Sequence, residues 1–300
     1  MNATKKYTTG EKKLTTLKNY PPFLLEKSGK PSVPVVLASP HSGTFYPERL
    51  FHLTDLKLAD FQQYEDAAVD RLFSFAPAMG IPLLSAVYGR AWVDLNRHPL
   101  ELDPTMFSDS IPSQSQTDSP RVKNGFGVIA RQLNANKLIY RKKLSFAIEQ
   151  ERLTDVHLPY HAALESLIKK NLAVFGKSLL IDLHSMPLLP PERLTNGKMP
   201  DFVLGTGDGA ACAPQIAIAA AELLRDAGFS VTINLPYSGA YTTLHYGRPA
   251  LRSHALQIET GRHLYWDSKH YLPSENFNTL WRKLSLFMER FLRVLPTLPL

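Results

Sequence analysis

From residue 32 onward, short runs of β-branched and apolar residues alternate with longer segments whose apolar residues recur every three or four positions. This alternation predicts an α/β fold, in which strands and helices follow one another along the chain. We expect strands at residues 33–38, 81–88, 178–183, 201–205, 230–234 and 255–259, and helices at residues 66–76, 131–152, 160–175, 212–227 and 276–294. Neither a repeat nor a linker interrupts this pattern, which indicates one domain over residues 31–300.

One long segment, residues 107–126, has no apolar periodicity and is rich in Ser, Pro, Asp and Gly. This composition predicts a surface loop. A loop of such length inside a compact domain is often a lid or a binding loop. A mobile insertion without a function is the alternative interpretation.

The basic charge of the chain is concentrated at its N-terminus. Residues 1–30 contain seven lysines and two glutamates, so they carry most of the net charge of +7. Such a leader is typical of a flexible, solvated arm. No basic helix or aromatic-basic module follows it, so we expect no nucleic-acid partner.

Other features of the sequence indicate the cellular compartment of the protein. No apolar stretch reaches the roughly 18 residues that a membrane span requires, and no secretory signal opens the chain. Cys212 is the single cysteine and cannot form an internal disulfide. These features predict a cytoplasmic protein that does not enter a membrane.

Two histidines come at the ends of two predicted strands. His41 follows the strand at 33–38, and His184 follows the strand at 178–183. Ligand sites of open α/β sheets lie beyond the carboxyl ends of the strands, and imidazole is a common zinc ligand. Together the two histidines indicate a metal site that needs a third ligand. Either histidine alone can equally cap a loop.

The candidates for the third ligand are acidic residues near the start of the helix predicted at 66–76. Glu65 and Asp66 form a carboxylate pair there, and Glu48 is a weaker candidate. Acidic residues in a first helical turn are also favoured by the helix dipole and as caps. A structural role is therefore the alternative for both Glu65 and Asp66.

Charged residues near two other strand ends indicate a substrate site. Arg90 and Arg97 follow the strand at 81–88, where their guanidinium groups can bind a carboxylate or polarise a carbonyl. Glu259, at the end of the last predicted strand, is a candidate general base. The alternative is a set of structural ion pairs, such as one between Glu259 and Arg262.

Three further motifs have weaker implications. Residues 234–248 are rich in glycine and aromatic residues and can line a pocket. His157 and His161 stand four apart on a predicted helix, but the glutamate of a zinc-protease motif is missing, which favours a structural or ligand-orienting role. Residues 205–209 match no nucleotide-binding fingerprint, which favours a plain turn.

Nine of these blocks occur in a fixed order between residues 33 and 267. They are SPHSG (39–43), ED with VD (65–70), GR with VDLNR (89–97), PYH (159–161), LIDLHSM (180–186), DFVLG (201–205), NLPYSGAYTT (234–243), YGRP (246–249) and LQIETGR with LYWD (256–267). In this order the blocks resemble the N-formylglutamate amidohydrolase family, which is similar to zinc carboxypeptidases and aspartoacylase-like hydrolases. The resemblance implies a three-layer α/β/α domain with a mixed central sheet and one catalytic Zn²⁺ per chain.

The resemblance also implies a ligand set. His41 corresponds to the first metal histidine, and His184, in its DLHS context, corresponds to the second. Related hydrolases place a glutamate three residues after the first histidine, whereas this chain has Thr44 there. The third ligand is therefore assigned to Asp66, with Glu65 as the alternative.

Catalytic and substrate-binding roles follow from the same resemblance. Glu259 resembles the general acid/base, and Arg90 resembles the arginine that polarises the scissile carbonyl. Asn96 and Arg97 resemble the pair that holds the α-carboxylate of the substrate. The residues of the glycine-rich loop that we assign to the substrate pocket are Tyr237, Thr242 and Thr243.

The implied activity is zinc-dependent cleavage of the N-formyl group from an amino acid such as N-formyl-L-glutamate, a reaction of amino-acid catabolism. The expected partner is thus a small N-acyl amino acid. One alternative is a deacylase or carboxypeptidase for another N-acyl amino acid or a short peptide. An alternative of another class is a catalytically silent protein that binds an amino acid or peptide.

Overall fold

A mixed sheet of seven strands forms the centre of the fold, in the order β1-β3-β2-β6-β9-β7-β8. The structure is a computed structural model that describes residues 20–27, 29, 32–134, 137–188, 190, 194 and 198–300. Its strands are β1 (Phe23–Glu26), β2 (Val35–Ser39), β3 (Leu83–Ala86), β4 (Gln132–Asn134), β5 (Lys137–Leu138), β6 (Ser178–Met186), β7 (Phe202–Gly205), β8 (Val231–Ile233), β9 (Ser253–Gly261), β10 (Trp266–Asp267) and β11 (Leu272–Pro273). The pairs β4–β5 and β10–β11 are small separate hairpins.

Helices cover both faces of this sheet. The α-helices are α1 (Glu48–Leu53), α2 (Leu58–Gln62), α3 (Val69–Leu72), α4 (Pro120–Lys123), α5 (Phe146–Glu149), α6 (Leu158–Phe175), α7 (Pro214–Asp226), α8 (Tyr241–Tyr246) and α9 (Phe277–Val294). Short 3₁₀ segments lie at Ala76–Met79, Pro104–Met106, Pro249–Leu251, Arg262–Leu264 and Leu295–Thr297, and a π-helical turn at Leu153–His157 leads into α6. No described helix is both long enough and apolar enough to cross a membrane.

The alternation of side chains along the central strands separates two cores. Val35 and Leu37 pack into a core with α3, α7 and α9, whereas Val36 and Ala38 pack on the opposite side with α6. Parallel pairing joins β3, β2, β6 and β9, and β7 runs antiparallel to β9. Parallel strands with both faces covered are apolar throughout. The fold is thus the predicted three-layer α/β/α domain with a mixed sheet.

The predicted strands and three of the five predicted helices are confirmed within one to three residues at most ends. The helix predicted at 131–152 is wrong. Residues of that segment form β4 and β5, then the single turn of α5. Leu133, Ile139 and Leu144 are all buried, but they reach the core from a hairpin and an extended segment. Tertiary packing has overridden a spacing that resembled one helix face.

Two other expectations are corrected. The helix predicted at 66–76 begins only at Val69, because Ala68 before it has a left-handed conformation with φ 55°. The flexible arm predicted over 1–30 is wrong at its end, since Phe23–Glu26 pairs with β3 as an edge strand. The rest of that arm lies mostly outside the described residues. The loop predicted at 107–126 is present and contains the short helix α4.

Two buried histidines connect α6 to the segment between β3 and α4. The Nε2 atom of His157 lies 3.0 Å from the carbonyl oxygen of Arg97, and that of His161 lies 2.8 Å from the carbonyl oxygen of Leu95. Burial lowers the pKa of His157 to about 4 and holds the pKa of His161 well below its usual value. Both imidazoles are therefore neutral at pH 7 and donate to these carbonyls.

Replacing a core side chain of the central strand β6 should destabilise the fold strongly. Ile181 is fully buried, so Ile181→Ala should lower the free energy of unfolding by about 2–5 kcal/mol. The matched control is Ile148→Ala, because Ile148 is 56% exposed and its truncation should cost less than about 0.5 kcal/mol. Urea unfolding followed by circular dichroism measures both, and equal effects would contradict this packing.

The neutral, buried state of His157 predicts a pH dependence of stability. Its pKa is lowered from 6.5 to about 4 on folding, so its contribution is present above pH 6.5 and is lost as the pH falls toward 4. His157→Gln should therefore flatten the pH dependence of the unfolding free energy in that window by up to about 1.4 kcal/mol per pH unit.

This measurement requires urea unfolding at several pH values with a chelator present, so that metal binding does not contribute. His52→Gln is the control for loss of an exposed imidazole. An unchanged slope in His157→Gln would show that the imidazole of His157 is already protonated in the folded state near pH 6.

Candidate active site

The two predicted metal histidines lie side by side at the centre of the sheet. His41 follows β2, His184 lies on the neighbouring strand β6, and their ring centroids are 4.8 Å apart. Gly43 permits the turn that carries His41, because a Cβ atom there would collide with the carbonyl oxygen of Tyr88. The turn is thereby packed directly against the segment that follows β3.

Asp66 completes this pair of histidines. Its Oδ2 atom lies 2.8 Å from Nδ1 of His184 and 3.4 Å from Nδ1 of His41. The amide of Asp66 also donates to the carbonyl oxygen of His41 at 3.0 Å, which fixes the two segments together. One ligand atom from each of the three residues lies within 4.8 Å of the others. We call these three residues the His-Asp-His cluster.

The chemistry of the cluster fits a divalent transition metal. All three side chains are buried, and Nδ1 of His41 is a buried nitrogen without a hydrogen-bond partner among the described residues. Two imidazole nitrogens and a carboxylate oxygen form one of the usual three-ligand sets of catalytic zinc sites. The orphaned nitrogen and the shared carboxylate oxygen converge on one point, where a cation can accept lone pairs from all three residues.

Further carboxylates hold the far sides of both imidazoles. Oδ1 of Asp94 lies 2.6 Å from Nε2 of His41, and Oδ1 of Asp182 lies 3.1 Å from Nε2 of His184. The carboxylate of Asp94 keeps the proton of His41 on Nε2 and leaves Nδ1 free for a metal, whereas Oδ1 of Asp182 makes an ion-pair contact with His184 and no hydrogen bond to a described residue. Sequence reasoning missed this role of both aspartates, although each lies close to a motif residue.

Protonation of the cluster is set by competition between burial and charge. Burial disfavours ionised Asp66, but hydrogen bonds and charge from His184 and His41 hold its pKa well below the usual value. Asp94 behaves alike, because the charges of His41, Arg97 and Arg90 outweigh its burial and lower its pKa. These carboxyl groups therefore stay ionised in a buried site, which favours a bound cation.

Glu65, the alternative third ligand, points elsewhere. It is buried and accepts a hydrogen bond from the hydroxyl of Tyr271, and burial raises its pKa to about 7. Glu65 is not part of the His-Asp-His cluster, and neither is Glu48, which begins α1. Of the three carboxylates weighed from the sequence, Asp66 is the one that the fold brings to both histidines.

Glu259 lies beside the cluster because of strand register. In the parallel pair β6–β9, Glu259 is the direct partner of His184. Burial raises the pKa of Glu259 to about 7, with the charge of His184 opposing and those of Asp66 and Asp182 adding to the rise. The Nε2 atom of Gln257 donates to its Oε1 at 3.1 Å, which leaves Oε2 for another partner.

Two arginines are anchored by the buried aspartates. Arg90 donates to Oδ2 of Asp94 at 3.0 Å, and its Nε is buried without a hydrogen-bond partner. Arg262 donates to Ser185 at 2.9 Å and to Oδ1 of Asp66 at 3.3 Å. The sequence had suggested that Arg262 pairs with Glu259. The structure instead pairs it with Asp66, where it fixes the carboxylate oxygen that faces away from the histidines.

Arg97 and Asn96, both assigned to substrate binding, line the cavity and make hydrogen bonds with the protein. Arg97 lines the cavity and donates to the carbonyl oxygens of Phe126 and Asn96 at 3.1 and 2.7 Å. Asn96 also lines the cavity, but its side-chain oxygen accepts from the amide of Thr242 at 2.7 Å and its nitrogen lies 3.0 Å from Nε2 of His184. Both ends of the Asn96 amide are thus engaged by the protein.

The glycine-rich loop supplies one lining residue and two supports. Tyr237 lines the cavity, whereas Thr242 and Thr243 are fully buried and do not belong to its described lining. The hydroxyl of Thr243 donates to Oδ2 of Asp182 at 3.0 Å. We assigned both threonines to the substrate pocket, and the structure places them outside its described lining. They hold Asn96 and Asp182 in place, because α8 packs beneath the cavity floor.

A cavity of about 580 Å³ opens above the cluster. Its described lining includes His41, Gln63, Tyr64, Asp66, Arg90, Asn96, Arg97, Arg121, Phe126, His184, Ser185, Pro187, Pro236, Tyr237, Ser238, Gly239, Ala240, Gln257, Glu259 and Arg262. Sequence reasoning missed Tyr64 and Arg121, because no strand end or motif marks them, and it assigned no role to Gln257 within the LQIETGR block. Four arginines in one small cavity indicate an anionic ligand.

Several known proteins are similar to this chain in sequence. A profile of the N-formylglutamate amidohydrolase family matches residues 33–266. An N-formylglutamate deformylase of Pseudomonas aeruginosa is 32% identical over 248 residues, which cover 79% of this chain and 84% of that protein. A second, from Pseudomonas putida, is 28% identical over 240 residues, covering 78% and 82%.

A solved structure agrees with these relatives. The crystal structure of N-formylglutamate amidohydrolase from Ralstonia eutropha JMP134 superposes with a TM-score of 0.86 at 34% identity, covering 91% of this chain and 98% of that chain. The likeness extends over nearly the whole fold. The chain therefore belongs to the N-formylglutamate amidohydrolase family, whose members are hydrolases that act on a C–N amide bond.

Proposed function

We propose that this protein is a zinc-dependent deformylase that hydrolyses N-formyl-L-glutamate to formate and L-glutamate. The observation that carries the proposal is the buried His-Asp-His cluster with Glu259 beside it in an arginine-lined cavity. Relatives named as N-formylglutamate deformylases support the substrate.

His41, Asp66 and His184 would hold the zinc ion, each through one ligand atom. When bound, zinc polarises a carbonyl oxygen and lowers the pKa of water toward neutrality. The chain's own contribution is to orient the ligands. Asp94 and Asp182 fix the two imidazoles through Nε2, and Arg262 fixes the carboxylate of Asp66.

Glu259 is proposed to move the proton of the reaction. Its carboxylate accepts a proton from the attacking water, holds it on Oε2, and transfers it to the departing amide nitrogen. A pKa of about 7 suits a group that must both accept and donate a proton near neutral pH. Gln257 keeps the carboxylate in place by its hydrogen bond to Oε1.

Two arginines are proposed to bind the substrate. Arg90 faces the cluster from its anchor on Asp94 and stabilises the negative charge that develops on the formyl oxygen. Arg97 binds the α-carboxylate, and the backbone carbonyls of Asn96 and Phe126 set its direction. Asn96 acts through His184 and the loop at Thr242 and makes no direct substrate contact in this account.

Formate release by the purified protein tests the proposal directly. With zinc supplied, the protein should release formate from N-formyl-L-glutamate faster than it cleaves N-acetyl-L-glutamate or short peptides. A preference for another N-acyl group, or for a C-terminal peptide bond, would favour a different deacylase or a carboxypeptidase. Zinc-loaded protein that binds these compounds without turnover would be a silent binding protein.

Removal of the proton-transfer group should abolish turnover without removing the metal. Glu259→Gln should lower kcat by about 100- to 10,000-fold, because general acid–base catalysis contributes about that factor. The control is Glu165→Gln, since Glu165 is exposed on α6 and forms an ion pair with the exposed Lys169. Unchanged turnover in Glu259→Gln with full zinc content would refute the assignment.

The third ligand can be tested against its neighbour. Asp66→Asn should weaken zinc binding by more than about 100-fold, which exceeds the effect of losing a group that only orients a ligand. Glu65→Gln should keep its zinc, because Glu65 lies outside the cluster. Elemental analysis and zinc titration of both variants give the answer, and the reverse result would make Glu65 the ligand.

A further inference from the structure

The four arginines that line the cavity differ in how their charge is balanced. Arg90 is bound to Asp94, and Arg262 is bound to Asp66. The Nη2 atom of Arg97 lies 4.0 Å from Oδ2 of Asp94, and the guanidinium donates its hydrogen bonds to two backbone carbonyl oxygens. The guanidinium of Arg121 forms no hydrogen bond or ion pair with any residue that the structure describes. The cavity therefore contains an excess of positive charge on the side of Arg97 and Arg121.

Arg121 is held at the cavity rim by an ordered turn. It lies on α4, where Ser119 accepts from the amide of Val122 at 3.1 Å and donates to Glu101 at 3.0 Å. The side chain of Val122 on the same turn is buried. The side chain of Arg121 thus extends from a turn that hydrogen bonds hold in place, which limits the cost of ordering it around a ligand.

The same turn connects Arg121 to Arg97. The amide of Phe126 donates to the carbonyl oxygen of Arg121 at 2.8 Å, and the carbonyl oxygen of Phe126 accepts from Nε of Arg97 at 3.1 Å. Burial and the positive charge of Arg97 lower the pKa of Arg121, while the negative charges of Glu101 and Asp94 oppose this shift, so the two guanidinium groups repel each other. An anion bound between them relieves this repulsion and gains from both charges.

We propose that Arg121 is the specificity-determining residue that binds the side-chain carboxylate of the substrate. The inference rests on the proposed function, in which Arg97 binds the α-carboxylate and Arg90 faces the formyl group. A substrate with two carboxylates then meets two arginines that lack an ion-pair partner at hydrogen-bond distance, Arg97 and Arg121. The cavity selects acidic N-formyl amino acids over neutral ones of the same size by this second charge.

Kinetics with a matched pair of substrates test this assignment. N-formyl-L-glutamate and N-formyl-L-glutamine have nearly the same shape and differ by one charge. Arg121→Gln should raise KM for the glutamate substrate by about 10- to 100-fold, the range for loss of a hydrogen bond to a charged group, with kcat changed much less. Turnover of the glutamine substrate should stay within about twofold, so the preference between the two substrates collapses.

Lys123→Gln is the control for long-range charge. Lys123 lies on the same turn, pairs with Asp118 at 3.4 Å and is not part of the described cavity lining. It should keep the preference for glutamate. If both variants lose the preference equally, the effect is general electrostatics and the proposal is overturned. It is also overturned if Arg121→Gln keeps the preference or weakens both substrates alike.

Binding to metal-free protein separates this inference from the proposed function. Calorimetric titration of N-formyl-L-glutamate into chelator-treated wild type and Arg121→Gln measures the carboxylate subsite without turnover. If binding depends on Arg121 but the protein shows no deformylation, the proposed function is wrong and the carboxylate-binding role of Arg121 stands. If the wild type deformylates the substrate but wild type and Arg121→Gln bind it equally, the role of Arg121 is wrong and the proposed function stands.

Discussion

One buried carboxylate oxygen, Oδ2 of Asp66, lies between the Nδ1 atoms of two histidines, and the rest of the site is arranged around it. Ionised carboxylates are costly to bury, yet Asp66, Asp94 and Asp182 all lie in the interior. Imidazoles and arginines balance part of this charge. A divalent cation held by the cluster, as proposed, would balance more of it and so would also stabilise the buried carboxylates.

The central sheet positions the residues of the site. The register of β2, β6 and β9 brings His41, His184 and Glu259 to one end of three adjacent strands. Groups beneath the cavity then restrict them: Asp94 and Asp182 orient the rings, and Thr243 holds Asp182. Strands and buried hydrogen bonds thus position the residues of the cluster. Arg121 lies instead on the turn at α4, near the surface.

The sequence predicted the parts of this arrangement that depend on local pattern. Strands, their polar ends and both histidines follow from periodicity and from the position of ligand sites in α/β sheets. The choice between Glu65 and Asp66 as third ligand does not follow from local pattern. It depends on the left-handed turn at Ala68 and on which side chain faces the histidines. The helix expected at 131–152 failed for the same reason: long-range packing decided the conformation. Arg121 carries no local signal, since its place in the cavity lining near Arg97 depends on hydrogen bonds that both residues make with Phe126.

The central claim is that the His-Asp-His cluster binds zinc. Anomalous diffraction at the zinc absorption edge, from crystals of the zinc-loaded protein, tests it most directly. The account predicts a single strong peak about 2.0–2.2 Å from Nδ1 of His41, Nδ1 of His184 and an oxygen of Asp66. A cluster without a peak, or a peak bound by Glu65 instead of Asp66, would contradict it.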